Sequence, residues 1–145
     1  GRPSRIPRYV NNAAIMKNTF KESPTGRGAP PGVTKLWRGL KNMPPSVLQG
    51  HIENKSFSSW STKKSIADAF GHLDFKGSKG IVLELNTNKM KNTPYINYTN
   101  KPPLYYKRNN KEAEFLLPPK VFIVSQPNSN RVVKVLNLKN EIPRV

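Results

Sequence analysis

Apolar and β-branched residues fill the run "GIVLELNT" at residues 80–87, the clearest strand signal in the chain. Further on, "EAEFLLPP", "VFIVSQ" and "RVVKVLNL" predict a succession of β segments joined by turns at "PPK" and "PNSN". "PYINYT" predicts a shorter strand before them. Upstream, "TKLWRGL" at residues 34–40 predicts a strand with Leu36 and Leu40 on one face and Trp37 on the other. Arg38 then shares the Leu36 face and points inward, where a cation needs an anionic partner from the protein or a ligand.

Helical spacing appears twice. In "YVNNAAIMKNTFKES", Val10, Ala13, Ala14 and Phe20, with Ile15 and Met16, suit a helix that Pro24 stops. At residues 63–70, Ile66, Ala67 and Phe70 recur at helical spacing behind a Ser/Thr cluster able to cap the N-terminus. "PTGRGAPPGV" reads as a loop, and "KNMPPSVLQGHIENKSF" as turn and loop with a short helix through Val47 to His51. The order of helix, strand, helix and then mostly strands predicts an α+β domain with a largely antiparallel sheet or sandwich. Residues 1–33 form a basic leader, short helix and loop, and residues 34–145 the core of what is expected to be a single domain.

Composition adjusts this picture in two ways. Hydrophobic residues make up only 35%, with 14 Pro and 9 Gly, so the fold is expected to have long connections. With no Cys, a disulfide framework, a thiolate metal site and a thiol nucleophile are excluded. No apolar run approaches the roughly 18 residues of a membrane span. "GRPSRIPRYV" has basic residues without an apolar segment behind them, so no signal peptide is expected in this stretch. The opening Gly1 in place of Met is expected of a piece of a longer protein.

Charge points to partners. The formal net charge is +17, spread along the whole chain, a field that attracts polyanions such as nucleic acid, the ribosome or an acidic protein. An Asn/Lys-rich composition with a solvated basic surface accounts for it equally well.

Against this charge, Glu112 and Glu114 stand out in "KEAEFLLPP", two of only eight acidic residues. On a strand they project from one face, where two carboxylates repel and one pKa tends to rise. Alone, such a pair is most simply an exposed polar face. Its context is "LWRG" upstream, then "FSSWSTKKSIADAF" with Ser59 and Ser61, then "GIVLELNT" and "EAEFLLPPKVFIV".

In this order these segments resemble the arginine–serine–glutamate class of mono-ADP-ribosyltransferases, whose domains carry a strand Arg, a Ser-Thr-Ser-like motif and Glu-x-Glu before a Leu-Leu-Pro-like run. The resemblance covers residues 34–124 and departs at Trp60, where Thr is usual. It implies an ADP-ribosyltransferase-like, mostly antiparallel β-sandwich with a few flanking helices. It also implies an enzyme that uses NAD as co-substrate, without a metal, cleaves the nicotinamide–ribose bond and transfers ADP-ribose to a macromolecule.

By the resemblance, Arg38 and Gly39 lie at the NAD phosphates, Ser59 orients the catalytic Glu114, and Glu114 acts on the ribose as positive charge develops. Glu112 would activate the acceptor, while Ser61, Phe70 and Phe75 complete the NAD site. "GHLDFKGSK" occupies the place of the loop that contacts phosphate and nicotinamide, with Lys76 and Lys79 as candidates for a phosphate. "NKPPLYYKRNNK" lies where the family recognises its target. There Tyr105 and Tyr106 beside Lys107 and Arg108 suit base stacking and phosphate contact, or else a hairpin tip packed on the sheet.

The acceptor expected from the charge is RNA or the ribosome; the Glu112 position points instead to protein arginine. The implied context is the toxin module of a larger bacterial protein of polymorphic or Rhs type, secreted or delivered to act in the target-cell cytoplasm. It would be paired with an acidic immunity protein. A non-enzymatic nucleic-acid-binding module explains the charge but not the order of Arg38, the serines and the glutamates. His51 and His72 do not suggest a metal site, and Trp37 and Trp60 are read as core or pocket walls.

Overall fold

The computed structural model describes residues 25–43, 50–73, 76–98 and 114–140 of the chain. Among them are nine strands: β1 (Thr25–Arg27), β2 (Lys35–Leu40), β3 (His51–Asn54), β4 (Ser58–Ser61), β5 (Ile81–Asn86), β6 (Pro94–Asn97), β7 (Glu114–Leu117), β8 (Lys120–Val124) and β9 (Val132–Lys139). One helix, α1 (Lys64–Phe70), follows β4, and a 3-10 turn (Thr87–Met90) follows β5. The helix expected through Val10 to Phe20 lies outside the described residues, as do Phe75, Tyr105, Tyr106, Lys107, Arg108 and Glu112.

The strands run in the spatial order β1-β6-β7-β4-β2-β5-β9-β8-β3. Every pairing is antiparallel except β5 with β9, where Val82, Leu83 and Glu84 align with Val132, Val133 and Lys134. β9 serves two partners: its first residues pair with β5 and its later ones, from Val135 on, with β8. An irregularity opposite Ile123 and Val124 marks the change, and such bulges bend a strand.

The bend closes the sheet on itself. β4 and β8 stand four places apart in the strand order, about 19 Å in a flat sheet at about 4.8 Å per strand. Yet Trp60 of β4 packs on Phe122 of β8 with ring centroids 5.3 Å apart. Two layers therefore face each other across a core that includes Leu36, Trp60, Leu83, Leu85, Phe115 and Phe122. This is a mostly antiparallel β-sandwich with one helix in the described region, the architecture the motif order implies.

Burial explains the strongest sequence signal. Ile81, Leu83 and Leu85 of β5 enter the core, while Val82 pairs with Gly39 on the opposite face, which α1 covers. Both faces being packed, β5 has no polar alternation over its first three residues. Gly39 makes the close approach possible, because a Cβ there would stand 1.9 Å from the Ala67 carbonyl oxygen of α1.

Several local expectations change. The Ser/Thr cluster does not cap α1: the N-cap is Lys63, without a side-chain cap bond, and the Ser61 hydroxyl accepts the Lys63 N–H at 3.0 Å. Ser61 ends β4 two residues before the N-cap, too early to reach the first helical N–H groups. His51 opens β3 and is not part of a helix. β1 forms within the segment read as a loop, because Gly26 lets the Tyr95 ring lie where a Cβ would stand 2.3 Å from its hydroxyl.

Candidate active site

β2 and β5 pair along six residues, but β2 and β4 pair only at Trp37 with Ser61. Beyond that point β2 and β4 leave the ladder. Arg38 fills part of the opening, its Nη1 donating 2.9 Å to the Ser59 carbonyl. One side chain thus ties two strands that no longer share backbone hydrogen bonds.

On the far side of β4 the register is continuous: Ser59 pairs with Leu116, Trp60 with Phe115 and Ser61 with Glu114. Residues directly opposite share a face, so Glu114, Ser61 and Trp37 form one row across β7, β4 and β2. Ser59, two residues from Ser61, lies on the same face. Its hydroxyl donates a short hydrogen bond to Glu114 Oε2, a diagonal contact. The register chosen by the Phe115 and Leu117 core face therefore aims the carboxylate.

Arg38 carries an electrostatic cost. Burial pulls its guanidinium pKa below the usual value, and among the described residues its Nε is buried without a hydrogen-bond partner. Lys35 pairs with Glu84 and Lys64 with Asp68, so neither of those carboxylates serves Arg38. A desolvated cation with an unspent donor is suited to an anion arriving from outside.

These groups line one cleft of about 340 Å³, within the range of small-molecule sites. Arg38, Gly39, Ser59, Ser61, Phe70 and Glu114 all border it, so the described members of the expected site meet in one place. Trp37, Ile66 and Phe70 give it apolar walls, and Phe70 is 47% exposed at its mouth. Lys41 links it to a second cavity of about 380 Å³ bordered by His72, Lys76, Ser78 and Lys79. Sequence reasoning missed Lys41 and Ile66. Ile66 stands one helical turn before Phe70, a spacing that signals a shared face; Lys41 carries no signal beyond following β2.

No family model matches the chain, and no curated protein matches it significantly. Solved structures do. The ADP-ribosyltransferase Vis in complex with the M6 inhibitor aligns over 90% of this chain with a TM-score of 0.55 at 18% identity.

The chain has an ADP-ribosyltransferase fold.

Two further Vis structures agree: the complex with agmatine (TM-score 0.55, 16% identity, 90% of this chain) and the Vis toxin from Vibrio splendidus (TM-score 0.53, 17% identity, 90% of this chain). The alignments cover 55%, 56% and 55% of those structures, so the chain spans little more than half their length. Within the ADP-ribosyltransferase fold the departure at Trp60 has a simple place. Trp60 points into the core, its Nε1 donating 2.8 Å to the Ser58 hydroxyl, away from the face that carries Ser59 and Ser61. The middle position of the serine motif packs in the core here and also borders the cleft.

Proposed function

We propose that this domain is an NAD-dependent mono-ADP-ribosyltransferase that breaks the nicotinamide–ribose bond and transfers ADP-ribose to a macromolecular acceptor. The observation that carries this reading is Ser59 hydrogen-bonded to Glu114 in the cleft that also holds the desolvated Arg38. The solved ADP-ribosyltransferases of the same fold support it.

NAD supplies an electrophilic ribose carbon and a neutral leaving group, nicotinamide. Glu114 places negative charge where positive charge develops on the ribose, which stabilises the transition state more than the substrate. Ser59 holds that carboxylate in one orientation. Arg38, whose buried Nε has no partner among the described residues, holds a phosphate. Trp37, Ile66 and Phe70 exclude water and pack on a flat ring. The acceptor's nucleophile loses a proton as it bonds to the ribose carbon, and Glu112, outside the described residues, is assigned as the base. Ser61, Gly39 and Phe75 complete the NAD site, and Tyr105, Tyr106, Lys107 and Arg108 the acceptor contact.

The net charge of +17 supports RNA or the ribosome as acceptor. A second reading, a protein arginine, is supported by the Vis complex with agmatine, whose guanidinium resembles that of arginine. The toxin context follows from the same reading: a module of a polymorphic or Rhs-type bacterial protein, secreted or delivered and acting in the target-cell cytoplasm, blocked by an acidic immunity protein suited to this surface. The Vis toxin of Vibrio splendidus supports the toxin part.

The test is to incubate the domain with labelled NAD and a cell lysate, then divide the product between RNase and protease. Label removed by RNase establishes a nucleic-acid acceptor, and label that survives RNase but is lost to protease establishes a protein. Failure to consume NAD under any condition leaves only a binding module.

A further inference from the structure

Trp37 has a second side. Besides walling the cleft, it borders a separate open groove of about 460 Å³ with Gly32, Thr34, Lys35 and Thr62. Lys35 and Lys64 flank its ring, their ammonium groups 5.7 and 5.9 Å from the centroid. Both ammonium groups stand over the ring near the outer limit of a cation–π contact, about 6 Å, a weak hold that a stacking base can displace. Both side chains are more than 40% exposed, at 47% and 42%. Gly32 borders the groove with φ +74°, and an added Cβ there would meet nothing within 4 Å.

From this we infer that Trp37 is a stacking platform for a base of a single-stranded nucleic acid lying across the groove, with Lys35 and Lys64 meeting its phosphates. The reason is chemical. An aromatic face framed by half-exposed ammonium groups is the combination that binds unpaired nucleotides, the base by stacking and the backbone by charge, with the exposed pairs Lys35–Glu84 and Lys64–Asp68 opening to admit phosphate. The hydroxyls of Thr34 and Thr62 add hydrogen-bonding partners for sugar or phosphate. A cationic acceptor peptide fits worse, because the chain's net charge of +17 repels it and the nearby carboxylates Glu84 and Asp68 are already paired with Lys35 and Lys64. The register places Trp37 in one row with Glu114, two strands or about 10 Å away, so a strand stacked there is held beside the carboxylate. This inference rests on the ADP-ribosyltransferase reading for its purpose, though the platform itself is measurable without NAD.

The experiment uses the intrinsic fluorescence of the whole domain. It has two tryptophans, and Trp60 is 1% exposed, so quenching by a large solute reports Trp37. Titration with a single-stranded oligouridylate is expected to quench the accessible emission. In a K35A/K64A double variant the affinity is expected to fall about tenfold or more at low salt, with the salt slope reduced by about 1.4. Neither lysine borders the cleft, so nicotinamide release with water as acceptor is expected to be unchanged in that variant. Three results overturn the platform: an oligouridylate that binds by anisotropy without quenching, equal quenching by heparin at matched charge, or quenching by an arginine peptide and not by RNA. If the wild-type domain releases no nicotinamide while quenching persists, the enzymatic reading fails and the platform stands.

Discussion

Ser61 faces Glu114 directly across the β4–β7 ladder, yet the Glu114 carboxylate is bonded by Ser59, one pleat away on the diagonal. The Ser61 hydroxyl is engaged elsewhere, holding the Lys63 N–H at the start of α1. The two serines of one motif thus do different jobs, one aiming a carboxylate and the other fixing a strand-to-helix turn.

Replacing Ser59 by Ala removes the aim and keeps the charge. Misplacing a catalytic group by about 1 Å can cost about 10²-fold in rate. Expected for Ser59→Ala is a fall of that order in kcat for nicotinamide release, with KM for NAD changed far less. Steady-state kinetics check it, and a KM effect without a kcat effect contradicts the assigned role.

Arg38 is predicted to cost stability and confer binding. Desolvating the Arg38 guanidinium is unfavourable, so Arg38→Met is expected to unfold at the same or a higher temperature than the unmutated domain. NAD at about 100 times Kd stabilises a native state by about 2.7 kcal/mol, and this increment is expected to vanish in the variant. Thermal unfolding with and without NAD reads both effects.

Gly39 is held by space. A Cβ added there would lie 1.9 Å from the Ala67 carbonyl, so Gly39→Ala must push α1 off β2. A loss of about 1–3 kcal/mol in urea unfolding is expected, with reduced activity, since Ile66 and Phe70 ride on that helix.

Trp60→Thr restores the residue more usual in the serine motif. It removes a side chain that is 1% exposed and packed on Phe122 with the rings tilted by 45°. A loss of about 3–5 kcal/mol is expected, with no gain in kcat for the fraction that stays folded. A rise in kcat would mean that the middle position belongs to the site.

Much of this was legible in the sequence because it depends on short-range pattern. The continuous apolar run around Leu83 marked a strand, and the spacing of Ile66, Ala67 and Phe70 marked a helix. The inward Arg38 was legible from alternation with Leu36. Long-range fit was not legible. β1 exists because Tyr95 lies over Gly26 from a strand far along the chain. The failure of the Ser/Thr cluster to cap α1 depends on where β4 ends, a boundary that residue type alone does not set. The pairing of Ser59 with Glu114 across 55 residues followed only from the order of motifs, since no local pattern encodes it.

Everything proposed for this site depends on Glu114 acting on NAD. The measurement is nicotinamide release from NAD by the unmutated domain and by Glu114→Gln, alongside thermal unfolding of both. Turnover by the first is expected, with a loss of at least about 10²-fold in the second and closely similar unfolding temperatures. Equal turnover by the two proteins, or none by the unmutated domain, would contradict that role.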